Sequence, residues 1–326
     1  MKKIFMFAIV ILMICSCSPN NIPEELTPVK VQLKWLHQAQ FAGIYVAREN
    51  GIYLERGIEL TEIIPYNFQI DSIESVQNED SLFGVTSAVE LMLAKSQGRA
   101  DDVIAIAVIY EKNPEALYSL KESNITKPQD LASKRVGIDK IDSSSNLLFR
   151  TIMKRYNISD FTPIIVGYDY SELLTNTTDA IIGYVTNPPD FARDTGKETN
   201  VILLADYGAS IYGDILITNK KTLDENPELV TKFLKSTLDG WRYAIEKPEE
   251  SAGIVQKYSN NSYDKELEML ASSIPLINSG ETPIGWMQIS EWEYANQALS
   301  DYNLIPQKLN LEEVYTNKPM ERIYNE

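Results

Sequence analysis

The stretch VQLKWLHQAQFAGIYVARENGIYLERGIEL, Val31 to Leu60, switches periodicity twice and so dictates a strand, a loop, a helix and a second strand in that order. Val31, Leu33 and Trp35 alternate with Gln32 and Lys34, the two-residue period of a β-strand. His37-Gln38-Ala39-Gln40 interrupts the apolar pattern, and from Phe41 the spacing (Phe41, Ile44, Tyr45) becomes helical until Gly51 supplies a stop. Ile58 and Leu60 then alternate around Glu59. In an open α/β sheet the loop at the carboxyl end of a strand faces the ligand crevice. The polar loop is therefore a candidate binding element, although an ordinary strand–helix–strand unit with a solvated loop satisfies the same spacing.

The chain begins with Lys2 and Lys3, an apolar run from Ile4 to Ile14, and then Ser16 and Cys17, the order of an export signal. That run is short of the roughly 20 apolar residues needed to cross a bilayer. Ile14-Cys15-Ser16-Cys17 resembles a bacterial lipobox, which would make Cys17 the lipid-bearing first residue of the mature chain. Cys15 would leave with the signal, residues 1–16, so the mature protein would have neither a free thiol nor a disulfide and would depend on its core. Residues 17–28 read as a tether.

Roughly 300 mature residues exceed one average domain and suit two lobes of about 100–200 residues each. The formal charge of −16 becomes −18 once Lys2 and Lys3 are removed, which argues against nucleic acid and acidic lipid head groups as partners. Strands and helices alternate along the rest of the chain. Strands are expected at Ser81–Val85, Val103–Tyr110 (VIAIAVIY, continuous as in a strand buried on both faces), Lys134–Asp139, Thr162–Val166, Ala180–Tyr184, Val201–Ala205 and Asp214–Thr218. A helix capped by Thr86-Ser87 runs to Gly98, and another begins at Ser143–Ser145. After Asn219 the pattern turns helical, with Leu229, Val230, Phe233, Leu234, Leu238 and Trp241 on one stripe and Trp292, Ala295 and Leu299 on another.

Catalytic constellations are thin. His37 is the single histidine, so neither a His/Cys metal cage nor a Ser-His-Asp triad can be assembled without it, and no phosphate-cradling glycine loop follows a strand. The sequence calls for no metal and no cofactor. It does place aromatic rings at expected strand ends: Trp35, Tyr110, Tyr184, Tyr207 and Tyr212. A flat heterocycle could stack on such rings while His37, Gln38, Gln40, Asn187 and Asp214 hold its edge by hydrogen bonds. Each tyrosine also has a packing role open to it, and Trp241 and Trp292, on helical stripes, belong to the core.

The segments WLHQAQFAGIYVARENGIYLERGIEL, FGVTSAVELMLAKSQG, IAIAVIYEKNPEALYSL, ITKPQDLASKRVGI, the DYG…YGDILITN pair and ENPELVTKFLKSTLDGWRYAI together resemble the thiamine-precursor-binding group of ABC-transporter substrate-binding lipoproteins, in order from Val31 to Thr316. The resemblance implies an α/β, type II periplasmic-binding-protein fold, two lobes joined by two crossovers. It implies lobe one at 29–115 plus 217–326, lobe two at 116–216, and crossovers near Pro114–Ser119 and Gly213–Asn219. It also implies ligand contacts from Trp35–Phe41, Tyr45 and Thr86-Ser87 in the first lobe, and from Tyr184–Asn187 and the Ser143–Ser145 helix start, Ser144 included, in the second. Where relatives commonly read Asn-Glu-Pro, this chain reads Asn187-Pro188-Pro189. The Pro188 side chain cannot accept a hydrogen bond from an aminopyrimidine as a carboxylate would, which leaves Asp190 as the nearby carboxylate and other heterocycles open as ligands.

Three functions follow. The first is a lipid-anchored binding protein that hands a small heterocycle to ABC permease subunits. The second is a sensor that presents its liganded form to a membrane receptor, which neighbouring genes would reveal. The third is an enzyme like the thiamine-pyrimidine synthase that this group resembles, which consumes its own histidine and pyridoxal phosphate; its cysteine-rich motif is absent here. The lipobox reading is tested by Cys17→Ser, expected to move the protein from the detergent phase to the aqueous phase. A singly acylated chain anchors only marginally, whereas two or more acyl chains hold firmly. Equal aqueous partitioning of wild type and variant would show that Cys17 carries no anchor.

Overall fold

The computed structural model describes residues 23, 25–67, 69–139, 144–167, 170–187, 189, 195–208, 211–278, 280 and 282–325. The export signal, Cys17 and most of the tether, with Pro188 and Asp190, lie outside the described residues. Two five-stranded sheets carry the chain, in the orders β2-β1-β3-β10-β4 and β7-β6-β8-β5-β9. In the first, β1 (Thr27–Gln32), β2 (Ile58–Ile64) and β3 (Phe83–Thr86) are parallel; β10 (Ile215–Asn219) enters antiparallel between β3 and β4 (Val103–Val108). In the second, β6 (Arg135–Ile138), β7 (Thr162–Ile165) and β8 (Ala180–Tyr184) are parallel, and β5 (Glu115–Leu120) runs antiparallel between β8 and β9 (Thr199–Leu203). The chain leaves the first sheet after β4, completes the second, and returns through β10. In each sheet the antiparallel insertion is the strand by which the chain arrives.

Several expected elements differ in detail. The first strand ends at Gln32, so Lys34 and Trp35 lie in the bend beyond it. Gln32 turns its side-chain amide onto the carbonyls of Leu33, Ile64 and Pro65, which closes the strand end against β2. No strand was expected at Glu115–Leu120, because Glu115 and Ser119 interrupt its apolar run. Both are fully buried here. Ala116 and Tyr118 pack with Tyr170, Leu173 and Ile181 on one face, and Leu117 joins the larger core on the other. The apolar strand Val103–Val108 is buried throughout but sits at a sheet edge. Its exposed ladder is covered: Ala105 N–H donates to Val314 O, and Thr316 N–H donates back to Ala105 O, each at 2.9 Å. Such covering removes a pairing template that an open edge would present.

The helix Ala88–Ser96 starts as expected, with Ser87 and Glu90 forming a reciprocal capping box. The long helix Pro227–Glu246 buries Val230, Phe233, Leu234, Leu238 and Trp241, and Phe83 of β3 stacks on Phe233 with ring centroids 3.8 Å apart. Trp292 is fully buried against Tyr212 and Tyr315. Among the described residues no helix is long and apolar enough to cross a membrane.

Glycines set how closely the helix Ala42–Glu49, which follows the polar loop, can approach Pro227–Glu246. A Cβ on Gly43 would collide with the Trp241 indole, and one on Gly240 would collide with the Gly43 carbonyl oxygen. Gly240→Ala is therefore expected to lower stability by about 1–3 kcal/mol, the usual cost of overpacking. Chemical denaturation reads this directly, and an unchanged midpoint would mean that the helices can part without cost.

Candidate functional site

The polar loop after β1 is held in place by a buried carboxylate far away in sequence. Glu266, on the helix Tyr263–Ile277, accepts from the Ala39 backbone N–H at 2.6 Å and from Asn261 Nδ2 at 2.8 Å. Ala39 opens a 3₁₀ turn that leads into the helix Ala42–Glu49, so the carboxylate satisfies a donor that the turn itself leaves unpaired. The loop's side chains then order one another. Gln38 Nε2 donates to Gln40 Oε1 at 2.7 Å, and Gln40 Nε2 donates to Asp214 Oδ2 at 2.8 Å.

Asp214 precedes β10, at the return to the first sheet, and faces Lys34. The ammonium lies 2.8 Å from Asp214 Oδ1, 3.0 Å from Gly213 O and 3.1 Å from the hydroxyl of Tyr184, the last residue of β8. One side chain thus joins the end of a first-sheet strand, the second crossover and the end of a second-sheet strand. The Lys34 side chain is 13% exposed and that of Asp214 1%. Burial disfavours the ammonium, but the charge of Asp214, with Tyr184 and Glu90 behind it, outweighs this and holds the Lys34 pKa well above the ordinary value. Burial pushes the Asp214 carboxyl and the Tyr184 phenol up, against the pull of Lys34 on both. The strand end bearing Tyr184 is itself pinned: Tyr118 donates its hydroxyl to Tyr184 O at 3.1 Å, and Val185 N–H donates to Pro114 O at 2.8 Å. A cavity of about 10 Å³ lies behind Gln40 and Asp214, bounded by Val85, Ile109 and Trp241, barely the room for one water.

The expected site residues divide into groups. Gln38, Gln40, Tyr184 and Asp214 meet in this cluster. Trp35 is adjacent and stacks on Tyr66, centroids 6.2 Å apart. His37 and Tyr45 form a second group, with His37 Nδ1 2.9 Å from Tyr45 Oη and the Tyr45 ring stacked on Tyr258 at 4.5 Å. Ser87 bonds with Glu90 in the helix cap. Tyr110 donates to Ser273 Oγ at 2.9 Å, and Tyr212 Oη accepts from the Gln288 N–H at 2.8 Å, so both hydroxyls are spent in the core. Tyr207 packs edge-on against Tyr156. The Asn187 carbonyl accepts from Tyr170 Oη at 3.4 Å. Ser144 opens the helix Ser144–Arg155, and its side chain lies outside the described residues. Lys34, at the centre, was not among the expected residues. Its sequence signal was slight: a lysine on the polar phase of a strand, one residue before a tryptophan. Among the described residues no cluster of histidine, cysteine and carboxylates could hold a metal.

The profile of the family described as NMT1/THI5 like matches residues 38–251. The chain belongs to the NMT1/THI5-like family. It is 24% identical over 328 residues to the formylaminopyrimidine-binding protein of Halalkalibacterium halodurans, covering 97% of this chain and 98% of that one. It is also 24% identical over 314 residues to the riboflavin-binding protein RibY of Chloroflexus aurantiacus, covering 92% and 88%. Among solved structures, the periplasmic aliphatic sulphonate binding protein SsuA of Escherichia coli matches with a TM-score of 0.70 at 15% identity, over 90% of this chain and 99% of that chain. The fold is that of the periplasmic binding proteins, as the motifs implied.

The single histidine makes the second group testable. His37 Nδ1 and Tyr45 Oη share a hydrogen bond of 2.9 Å in which the tautomer of His37 decides the donor. Burial disfavours the charged imidazole and lowers the His37 pKa from 6.5. The unfolded chain then binds the extra proton first as pH falls, so the contribution to stability is complete above about 6.5 and declines below it. Proton NMR is expected to give a His37 midpoint under 6.5, and His37→Gln should flatten the loss of stability between pH 7 and 5. A midpoint at or above 6.5 would show that burial does not govern the titration of His37.

Proposed function

We propose that this protein is an extracytoplasmic solute-binding component of an ABC importer, which captures a small heterocycle between two lobes and presents it to the permease. The observation that carries this reading is the Lys34 contact with Tyr184 and Asp214, a polar cluster assembled from the strand ends of both sheets where the two crossovers meet. Strand ends at such a junction are where α/β folds gather ligand contacts. The full-length similarity to two binding proteins for nitrogen heterocycles supports the ligand class, and Trp35 stacked on Tyr66 beside the cluster supplies a ring surface for it. The lobes follow the two sheets, so the expected limits of 29–115 plus 217–326 and 116–216 shift to put Glu115 with β5 in the second lobe and Ile215 and Leu216 with β10 in the first; the mature chain is tethered through Cys17 to the outer face of a bacterial membrane. Binding rather than catalysis fits the inventory, since the chain has a single histidine, His37, whose Nδ1 lies 2.9 Å from Tyr45 Oη.

Mass spectrometry of the protein isolated under native conditions is expected to find a co-purified nitrogen heterocycle. Adding that compound to stripped protein should reduce the radius of gyration in small-angle scattering, as hinge closure about the crossovers demands. Saturating ligand with an unchanged scattering profile would remove the closing-lobe reading.

A further inference from the structure

The polarity of the Lys34 cluster goes further and specifies which edge of a ligand it can take; this rests on the heterocycle-binding reading. An ammonium has three donors and no acceptor. Lys34 donates to Gly213 O and Tyr184 Oη and forms an ion pair with Asp214 Oδ1 at 2.8 Å. In the last contact the tyrosine oxygen must therefore be the acceptor, and the phenolic hydrogen is turned away from Lys34. Among the described residues no acceptor takes that hydrogen. Asp214 cannot serve a ligand in its place. It is fully buried, with one oxygen on Lys34 and the other on Gln40. Two further carboxylates stand in the field: Glu115, paired across the sheet with Tyr184, and Glu90, which spends Oε2 on Thr86 Oγ1 and on both the N–H and Oγ of Ser87.

We infer that Tyr184, with its hydroxyl rotor set by Lys34, is a specificity-determining hydrogen-bond donor, and that the crevice selects a neutral heterocycle presenting a carbonyl or bare ring-nitrogen acceptor at this point in preference to an exocyclic amino group. Charge excludes an anion as the matching group. The Lys34 ammonium is already compensated by Asp214 at 2.8 Å, and Glu90 adds a further negative charge nearby. A sulfonate or carboxylate would enter a neutral-to-negative field. An amino edge would set its donors against the Tyr184 donor, the kind of polar mismatch that discriminates more sharply than size. Lys34 is in this sense a positioning residue, which acts through Tyr184.

Titration calorimetry with four probes tests the inference: riboflavin, 4-amino-5-hydroxymethyl-2-methylpyrimidine, its 4-oxo counterpart and ethanesulfonate. The two pyrimidines differ in one exocyclic group, so their affinity ratio reads the edge directly. The expected result is binding of riboflavin or the oxo pyrimidine, with the oxo form at least tenfold tighter than the amino form. Tyr184→Phe, which removes only the hydroxyl, should bring that ratio close to one with a melting temperature near that of wild type. If Tyr184→Phe does not fold, the wild-type ratio alone decides. A tighter amino form, or a ratio unchanged in a folded Tyr184→Phe, overturns the donor assignment and leaves the heterocycle reading intact. Preference for ethanesulfonate, or binding of none of the four, overturns both.

Discussion

A lysine ammonium drawn out of water among three strand ends is the constraint around which the centre of this molecule is arranged. An isolated charge so placed would lose its proton or force the site open. Here Asp214 compensates it, and the carboxylate is in turn kept from needing water by Gln40. Removing one partner of a buried pair typically costs about 3–5 kcal/mol, because the other charge is stranded. Lys34 follows β1, Asp214 precedes β10 and Tyr184 ends β8, so the electrostatic requirement of one group fixes the register of segments about 180 residues apart in sequence. The buried glutamate at 266 extends the same logic outward, since it holds the backbone from which Gln38 and Gln40 project.

Much of this architecture is legible in the sequence because it is written in local periodicity. Ala180–Tyr184 reads as a strand with its true limits, the Ser87 cap announces its helix, and the stripe from Val230 to Trp241 gives the face of the long helix that meets the core. The strand Glu115–Leu120 escapes notice because Glu115 and Ser119, polar as they are, lie buried between β8 and β9, where Ser119 donates to Ile125 O. A pattern rule sees two polar residues and reads a loop. The first strand is overestimated for the opposite reason, since alternation continues to Trp35 after the ladder has ended at Gln32.

The cluster around Lys34 is only partly legible in the sequence. Of the candidate residues at strand ends, Gln38, Gln40, Tyr184 and Asp214 come together in one cluster. Sequence cannot distinguish Tyr184, whose hydroxyl faces the junction, from Tyr110 and Tyr212, whose hydroxyls are taken by Ser273 and the Gln288 backbone. That difference lies in long-range partners. Lys34 illustrates the limit most clearly: on the alternation of β1 it falls on the polar phase, and only a carboxylate 180 positions later turns it from a solvated side chain into a buried one.

The placement of β10 carries a consequence for how the chain acquires its shape. The first sheet has β10 between β3 and β4, so residues up to Val108 can form only a three-stranded parallel fragment with β4 unattached. All strands of the second sheet lie between Glu115 and Leu203, and that half has everything it needs before β10 emerges during synthesis. Late non-local pairing is slow, since loop closure must precede the contacts that reward it. The amino-terminal half of this molecule is therefore the last to become complete, and the apolar strand Val103–Val108 waits, unpaired, for a partner more than a hundred residues downstream.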